Sequence, residues 1–176
     1  MEIGAIYPGE DKLKWYVLHV RSKHEFIANA ELQKKEINTF LPTVKKWRQW
    51  KDRRKLVEFP LFPGYLFVNI APNPTDHIKI LRTRGAVRFL SDGQGGPAPV
   101  SSEEVSSLKL LVESGEELDI YPHLREGTKV RVTRGLFRGA EGILDKKEAH
   151  CTFIVNIILL GRSVGARVLA DDIECI

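Results

Sequence analysis

The chain has 176 residues, 43% of them hydrophobic, with a net charge of +4 and a pI near 9.1. That composition supports a buried core in one large or two small domains, and no apolar run approaches the roughly 20 residues of a membrane span. Met1 to Lys14 lack the basic start and long apolar stretch of a signal peptide, so a cytoplasmic protein without membrane association is expected.

Residues 1–14 read as a loose lead-in. Trp15 to Val20 is rich in β-branched and aromatic residues and predicts a strand. Ser22 and Glu25 have capping-box spacing and predict a helix to about Lys35. A second strand is expected from Ile37 to Val44. Between Lys45 and Lys55 seven of eleven residues are basic, and Trp47 and Trp50 are interleaved. This predicts a hairpin turning near Lys51 to Arg54 and returning through Leu56–Phe59. Such a hairpin is either a nucleic-acid contact, with cations for phosphates and aromatics for unpaired bases, or a solvated edge protected by lysines.

Phe59 to Ile70 is the most apolar stretch, with Pro63-Gly64 as a turn. In the strand Tyr65–Ile70, alternation sends Tyr65, Phe67 and Asn69 to one face and Leu66, Val68 and Ile70 to the other. The second set is an ordinary core face. The Tyr65–Phe67 face is either covered by a helix or open to a partner. A helix beginning at Thr75 or Asp76 is expected to end at Thr83-Arg84-Gly85, with Gly85 left-handed. Val87–Leu90 is a short strand, and Ser101 to Glu104 a second capping box, before a helix with Val105, Leu108, Leu111 and Val112 on one face. Ser114 to Arg125 reads as a linker. Beyond it only short strands follow, at 129–133, 142–144, 152–160, 164–169 and 173–175, which predicts a small β-barrel. The fold class is therefore α+β, with a mixed N-terminal domain at 14–113, a linker at 114–125 and a barrel at 126–176.

Charge divides along the same line. Residues 1–112 carry 18 Lys/Arg against 12 Asp/Glu, net +6, and residues 113–176 carry 9 against 11, net −2. The first part suits an anionic partner and the second a protein. Cys151 and Cys175 lack a C-x-x-C spacing, and the five histidines lack metal-ligand spacing. No nucleophile–base or paired-carboxylate pattern suggests catalysis. Neither an enzyme nor a cofactor or metal is indicated.

Trp15-Tyr16, Phe62-Pro63-Gly64-Tyr65-Leu66-Phe67-Val68 and Gly85-Ala86-Val87 resemble the N-terminal domain of the NusG family of transcription elongation factors. Gly127, Val130-Arg131-Val132, Gly135, Phe137, Gly139 and Gly142 resemble that family's C-terminal KOW motif. Val20 to Glu25, Arg48 to Arg53 and Leu81 to Gly85 look more like the specialised paralogues of the RfaH and UpxY kind, which support long operons.

The resemblance implies an NGN-like domain that binds the clamp helices of RNA polymerase. Tyr65 and Phe67 match the aromatics of that site, with Trp15 and Phe59 as neighbours for which plain core is the competing reading. It implies contact with the non-template single-stranded DNA through Arg21, Lys23, Thr83 and Arg84, to which the hairpin adds Arg48, Trp50, Arg53 and Arg54. Ile27 and Glu31 stand where RfaH has basic residues, so no DNA sequence preference carries over. In the KOW domain, Gly135, Leu136, Phe137 and Arg138 match the loop that meets a small-subunit ribosomal protein or Rho, with Phe137 as the exposed apolar residue. The function implied is a monomeric, non-enzymatic elongation and antitermination factor that suppresses pausing. The competing reading is an RNA- or ribosome-binding KOW protein that does not act on polymerase.

Overall fold

The computed structural model describes residues 13–50, 52–93, 95–122, 127–147 and 150–176. The lead-in up to residue 12, Lys51 of the hairpin turn and the linker residues 123–126 lie outside the described residues.

The first sheet is antiparallel and is built around β1 (Lys14–Val20). β5 (Tyr65–Ile70) pairs with it along its length, from Lys14↔Ile70 to His19↔Tyr65. β2 (Asn38–Phe40) extends the sheet beyond β5. The other edge of β1 is shared by β6 (Ala86–Phe89) and the short β7 (Pro99–Val100). The two faces of β5 divide as its alternation requires. Leu66, Val68 and Ile70 join Tyr16, Leu18 and Val20 beneath Ala28 and Leu32 of α1 (Glu25–Lys34) and Ile80 of α2 (Pro74–Leu81). Phe67 joins Trp15 and Val17 beneath Val105, Leu108 and Leu111 of α3 (Ser102–Glu113).

Several local expectations change. Ser22 does not cap α1: the cap position is His24, with no side-chain hydrogen bond, because the Glu25 carboxylate turns inward to Gly64. The strand expected over 37–44 is broken at Leu41-Pro42, since proline has no N–H for a ladder. The Pro42 carbonyl instead receives Leu61 N–H at 2.8 Å, and β3 (Thr43–Gln49) begins a separate ribbon with β4 (Arg54–Pro60). α2 starts one residue before the expected window, because Asn73 caps it through Asp76 N–H and Pro74 suits the first turn. Gly85 is left-handed at φ +89°, but it lies three residues past the Arg82 cap. At α3, Ser101 accepts Glu103 N–H and donates its hydroxyl to the Glu103 carboxylate, leaving Glu104 free to face elsewhere.

The second sheet is antiparallel in the order β13-β9-β10-β11-β12-β8. Its strands are β8 (Asp119–Pro122), β9 (Thr128–Val132), β10 (Glu141–Lys147), β11 (His150–Ile157), β12 (Arg162–Val168) and β13 (Ile173–Cys175). β8 falls inside the stretch expected to be linker, because its backbone pairs with β12 from Asp119↔Gly165 to Pro122↔Arg162. Val130, Val132, Phe153, Val155, Val164 and Ala166 form the core of this unit. Gly142 is required there: a Cβ would stand 2.3 Å from the Ile154 carbonyl oxygen.

α3 serves both units. Its first face covers the N-terminal sheet, and its second packs on β10 and β11. The Ser107 hydroxyl accepts the Glu141 N–H at 2.9 Å, and the Glu104 carboxylate takes the Ile158 N–H. The apolar residues under α3 and those of the small sheet form one continuous cluster.

Candidate functional site

The strand directions gather the polar candidates at one end of the first sheet. β1 ends there at Val20, β5 begins there at Tyr65, β6 begins there at Ala86, and β2 ends there before the β3–β4 hairpin leaves. Arg21 and Lys23 follow β1, and Thr83 and Arg84 precede β6. Backbone bonds tie these segments together: Val20 N–H to the Gly64 carbonyl and Arg21 N–H to the Gly85 carbonyl, both 2.8 Å. Lys23 holds a left-handed φ of +62°, a conformation that non-glycine residues adopt infrequently.

Arg21, Lys23 and Arg84 are exposed. Thr83 is not: it is buried, and its hydroxyl accepts the Lys35 ammonium at 2.7 Å. It holds α1 against the turn before β6 and presents no hydroxyl to a partner. The Arg84 backbone N–H is held by Glu31 at 3.2 Å, so Glu31 positions the turn that carries the arginine.

The hairpin register runs from Thr43↔Pro60 to Gln49↔Arg54, with the Trp50 N–H closing the turn on the Arg53 carbonyl. Arg48, Trp50, Arg53 and Arg54 are all exposed. Among the hairpin's described cations only Arg53 has a carboxylate within 4.0 Å, its neighbour Asp52. Trp47, which the sequence reading did not place in the site, is 65% exposed, and the Arg54 guanidinium lies 5.7 Å from its ring centroid. The alternation of Lys45, Trp47 and Gln49 was the signal that put it on one hairpin face.

The aromatic candidates split by depth. Phe67 is fully buried and Trp15 nearly so, because α3 covers their face. The Lys109 ammonium of α3 stands 4.5 Å over the Trp15 ring. These two residues shape the surface from below and are not part of it. Tyr65 is half-buried, with its ring 5.3 Å from that of His19, and Phe59 is half-buried at the hairpin base. Tyr65, Leu61, Phe62 and Pro63 line a cleft of about 200 Å³ whose other wall is Ile120 of β8, Arg162 of β12 and Leu160 in the turn between β11 and β12.

In the loop 135–138 the expected order is reversed. Phe137 is only 6% exposed and belongs to the barrel core, while Leu136 is 62% exposed. The turn places the larger ring inward, since Ala140 N–H bonds the Phe137 carbonyl at 2.9 Å and pulls that residue back over the sheet. Gly135 and Arg138 flank Leu136 on the exposed side. The Glu104 carboxyl, at the contact between α3 and the small sheet, is pushed up to about 7 by burial; the Ile158 N–H lowers it and the Glu103 charge raises it further.

Residues 13–109 match the family model described as transcription termination factor NusG. The chain belongs to the NusG family. The relatives it matches are named transcription termination/antitermination proteins. The NusG of Chlamydia trachomatis is 28% identical over 179 residues, covering 92% of this chain and 91% of that protein. The NusG of Pseudomonas aeruginosa is 23% identical over 172 residues, covering 92% and 97%. In fold the chain is similar to the solved structure titled "Domain interaction in Thermotoga maritima NusG", with a TM-score of 0.52, 20% identity and coverage of 94% and 98%. Among the described residues no helix is long and apolar enough to cross a membrane.

Proposed function

We propose that this NusG-family protein rides on RNA polymerase during elongation and suppresses pausing or termination on a specific long operon. The observation that carries this reading is the convergence of Arg21, Lys23, Arg84 and the basic hairpin on the end of the sheet where Tyr65 begins β5. One edge of the molecule thus offers cations for non-template single-stranded DNA beside an aromatic rim for the clamp helices. Tyr65 forms the rim, with the buried Phe62 lining the cleft beside it, and Trp15 and Phe67 lie in the core beneath. Because Ile120 and Arg162 stand across the 200 Å³ cleft from Tyr65, engagement through this rim requires the small sheet to move away. The N-terminal unit, 14–113, and the small sheet are then separate working parts. The second uses Leu136, with Gly135 and Arg138, to recruit a ribosomal protein or Rho. The Arg48 to Arg53 segment and Leu81 to Gly85 support the specialised RfaH or UpxY type.

Fluorescence anisotropy with purified core polymerase tests this. The wild-type protein should bind, and Tyr65→Ala should bind at least tenfold more weakly while unfolding at the same denaturant concentration. Equal binding by the two proteins removes the rim from the reading. Capture of ribosomal subunits without any polymerase binding favours an RNA- or ribosome-binding protein instead.

A further inference from the structure

The hairpin has two chemically different faces. Residues directly opposite in an antiparallel pair share a face, and alternate residues change face. One face carries the pairs Val44↔Phe59, Lys46↔Val57 and Arg48↔Lys55. Toward its tip this face is purely cationic. The other carries Lys45↔Glu58, Trp47↔Leu56 and Gln49↔Arg54. Here the outer surface is an exposed tryptophan beside an exposed leucine, with Leu56 44% accessible. Arg54 alone reaches over the indole, at 5.7 Å from its centroid. Because the two lie directly opposite each other and are ringed by charged residues, they form one apolar patch with a polar rim, the pattern of a binding surface.

The charge around it narrows the class of ligand. Seven cations lie between Lys45 and Lys55 against the single carboxylate of Asp52, so the hairpin as a whole attracts a polyanion. Trp47, however, also borders, together with Lys45, Lys46 and Glu58, a cleft of about 780 Å³ whose far wall is Glu113, Glu116, Glu117 and Asp119. Phosphates are repelled from that wall, whereas an uncharged aromatic ring is not. We propose that the Trp47–Leu56 face is a stacking platform for an unpaired base of single-stranded nucleic acid, while Arg48 and Lys55, paired on the opposite face and outside the acidic cleft, hold the phosphates. This deepens the nucleic-acid part of the function proposed above and rests on it. The base lies on the indole, the Arg54 guanidinium reaches the base edge, and the strand wraps the hairpin with its phosphates away from the acidic wall.

The test uses the full chain with two labelled probes of equal length: an oligothymidylate, and an abasic oligodeoxynucleotide with the same phosphates and no bases. Wild-type protein should bind oligothymidylate with quenching of its tryptophan emission and bind the abasic probe more weakly. Trp47→Ala should lower affinity for oligothymidylate about tenfold, within the roughly 5- to 150-fold range of one stacked base. It should leave the abasic probe and the salt slope unchanged, and Trp47→Phe should recover most of the loss. The double change Arg48→Gln, Lys55→Gln should weaken both probes alike and reduce the slope of log affinity against log salt by about 1.4. Equal loss for both probes in Trp47→Ala overturns the platform, as does no loss for either. If the wild-type protein binds neither probe, the nucleic-acid role itself fails and the platform with it.

Discussion

The Glu25 carboxylate accepts a 2.7 Å hydrogen bond from the Gly64 N–H, thirty-nine residues along the chain. Both partners are buried, and Gly64 sits at φ +84° in the turn that launches β5. Its carbonyl in turn receives Val20 N–H at 2.8 Å. The turn bearing Pro63 and Tyr65 is thereby pinned from both sides, to α1 through Glu25 and to β1 through Val20. Glu25→Ala leaves the Gly64 N–H without a partner and should destabilise the protein by about 1–3 kcal/mol. Glu25→Gln keeps an acceptor of the same reach and should recover most of that. Urea unfolding of the two variants decides: an Ala variant within about 0.5 kcal/mol of wild type would mean water replaces the carboxylate.

Glu104 makes the contact between α3 and the small sheet sensitive to protons. Its carboxyl lies at about 7 in the docked arrangement, above its ordinary 4.5, first because of burial. A raised value means that docking takes up a proton. The contribution is complete below about 4.5, falls as the pH rises, and is gone above about 7. One proton sets a limit of about tenfold per pH unit, and the part of the side chain that remains in water makes the real slope shallower. A dye pair bridging α3 and β11 should show the two units drifting apart as the pH is raised from 5 to 7.5. Glu104→Gln should flatten that curve. A wild-type signal independent of pH would be incompatible with this assignment.

Gly142 faces its neighbours too closely for any side chain. A Cβ there would meet the Ile154 carbonyl oxygen at 2.3 Å and the Phe153 ring at 2.8 Å. Gly142→Ala should cost about 1–3 kcal/mol or more, because the backbone of β11 cannot yield as a flexible side chain can. The loss should appear in hydrogen exchange across β10 and β11, with the first sheet protected as before. Unchanged exchange there would show that the two strands can separate freely.

Leu136 and Phe137 should behave oppositely under mutation. Phe137→Ala opens a cavity in the barrel core and should cost about 3–5 kcal/mol. Leu136→Ser removes an exposed group and should leave stability within about 0.5 kcal/mol, while weakening whatever partner the loop recruits. Thermal unfolding of the pair checks this, and a Leu136→Ser variant that melts early would place that side chain inside the structure.

What the sequence made legible was what depends on near neighbours. The faces of β5 follow from alternation alone, and the charged run after Trp47 announces the hairpin, though its turn, closed between Gln49 and Arg54, comes slightly before the expected Lys51 to Arg54. What escaped was set by distant partners. Ser22 and Glu25 have capping spacing, but the Gly64 N–H draws Glu25 away. Asp119 to Pro122 resembles linker because its partner strand, β12, begins forty residues later. Thr83 matched a DNA-contacting position, yet Lys35, at the C-cap of α1, claims its hydroxyl. Phe137 and Leu136 are adjacent and both apolar, and only the turn geometry tells which one the core receives.

The pairing of β8 at the edge of the small sheet has a mechanical consequence. Residues 114–118 tether the two units, and the tether enters the sheet at Asp119↔Gly165. When one partner holds the first unit and another holds the second, tension on the tether loads an edge strand from its end. Its bonds to β12 then open one after another and do not resist together. Peeling the four residues Asp119–Pro122 releases roughly 14 Å of chain at about 3.4 Å per residue. The connection therefore has a short reach at rest and a longer one under load, and the remaining five strands keep their ladder while it extends.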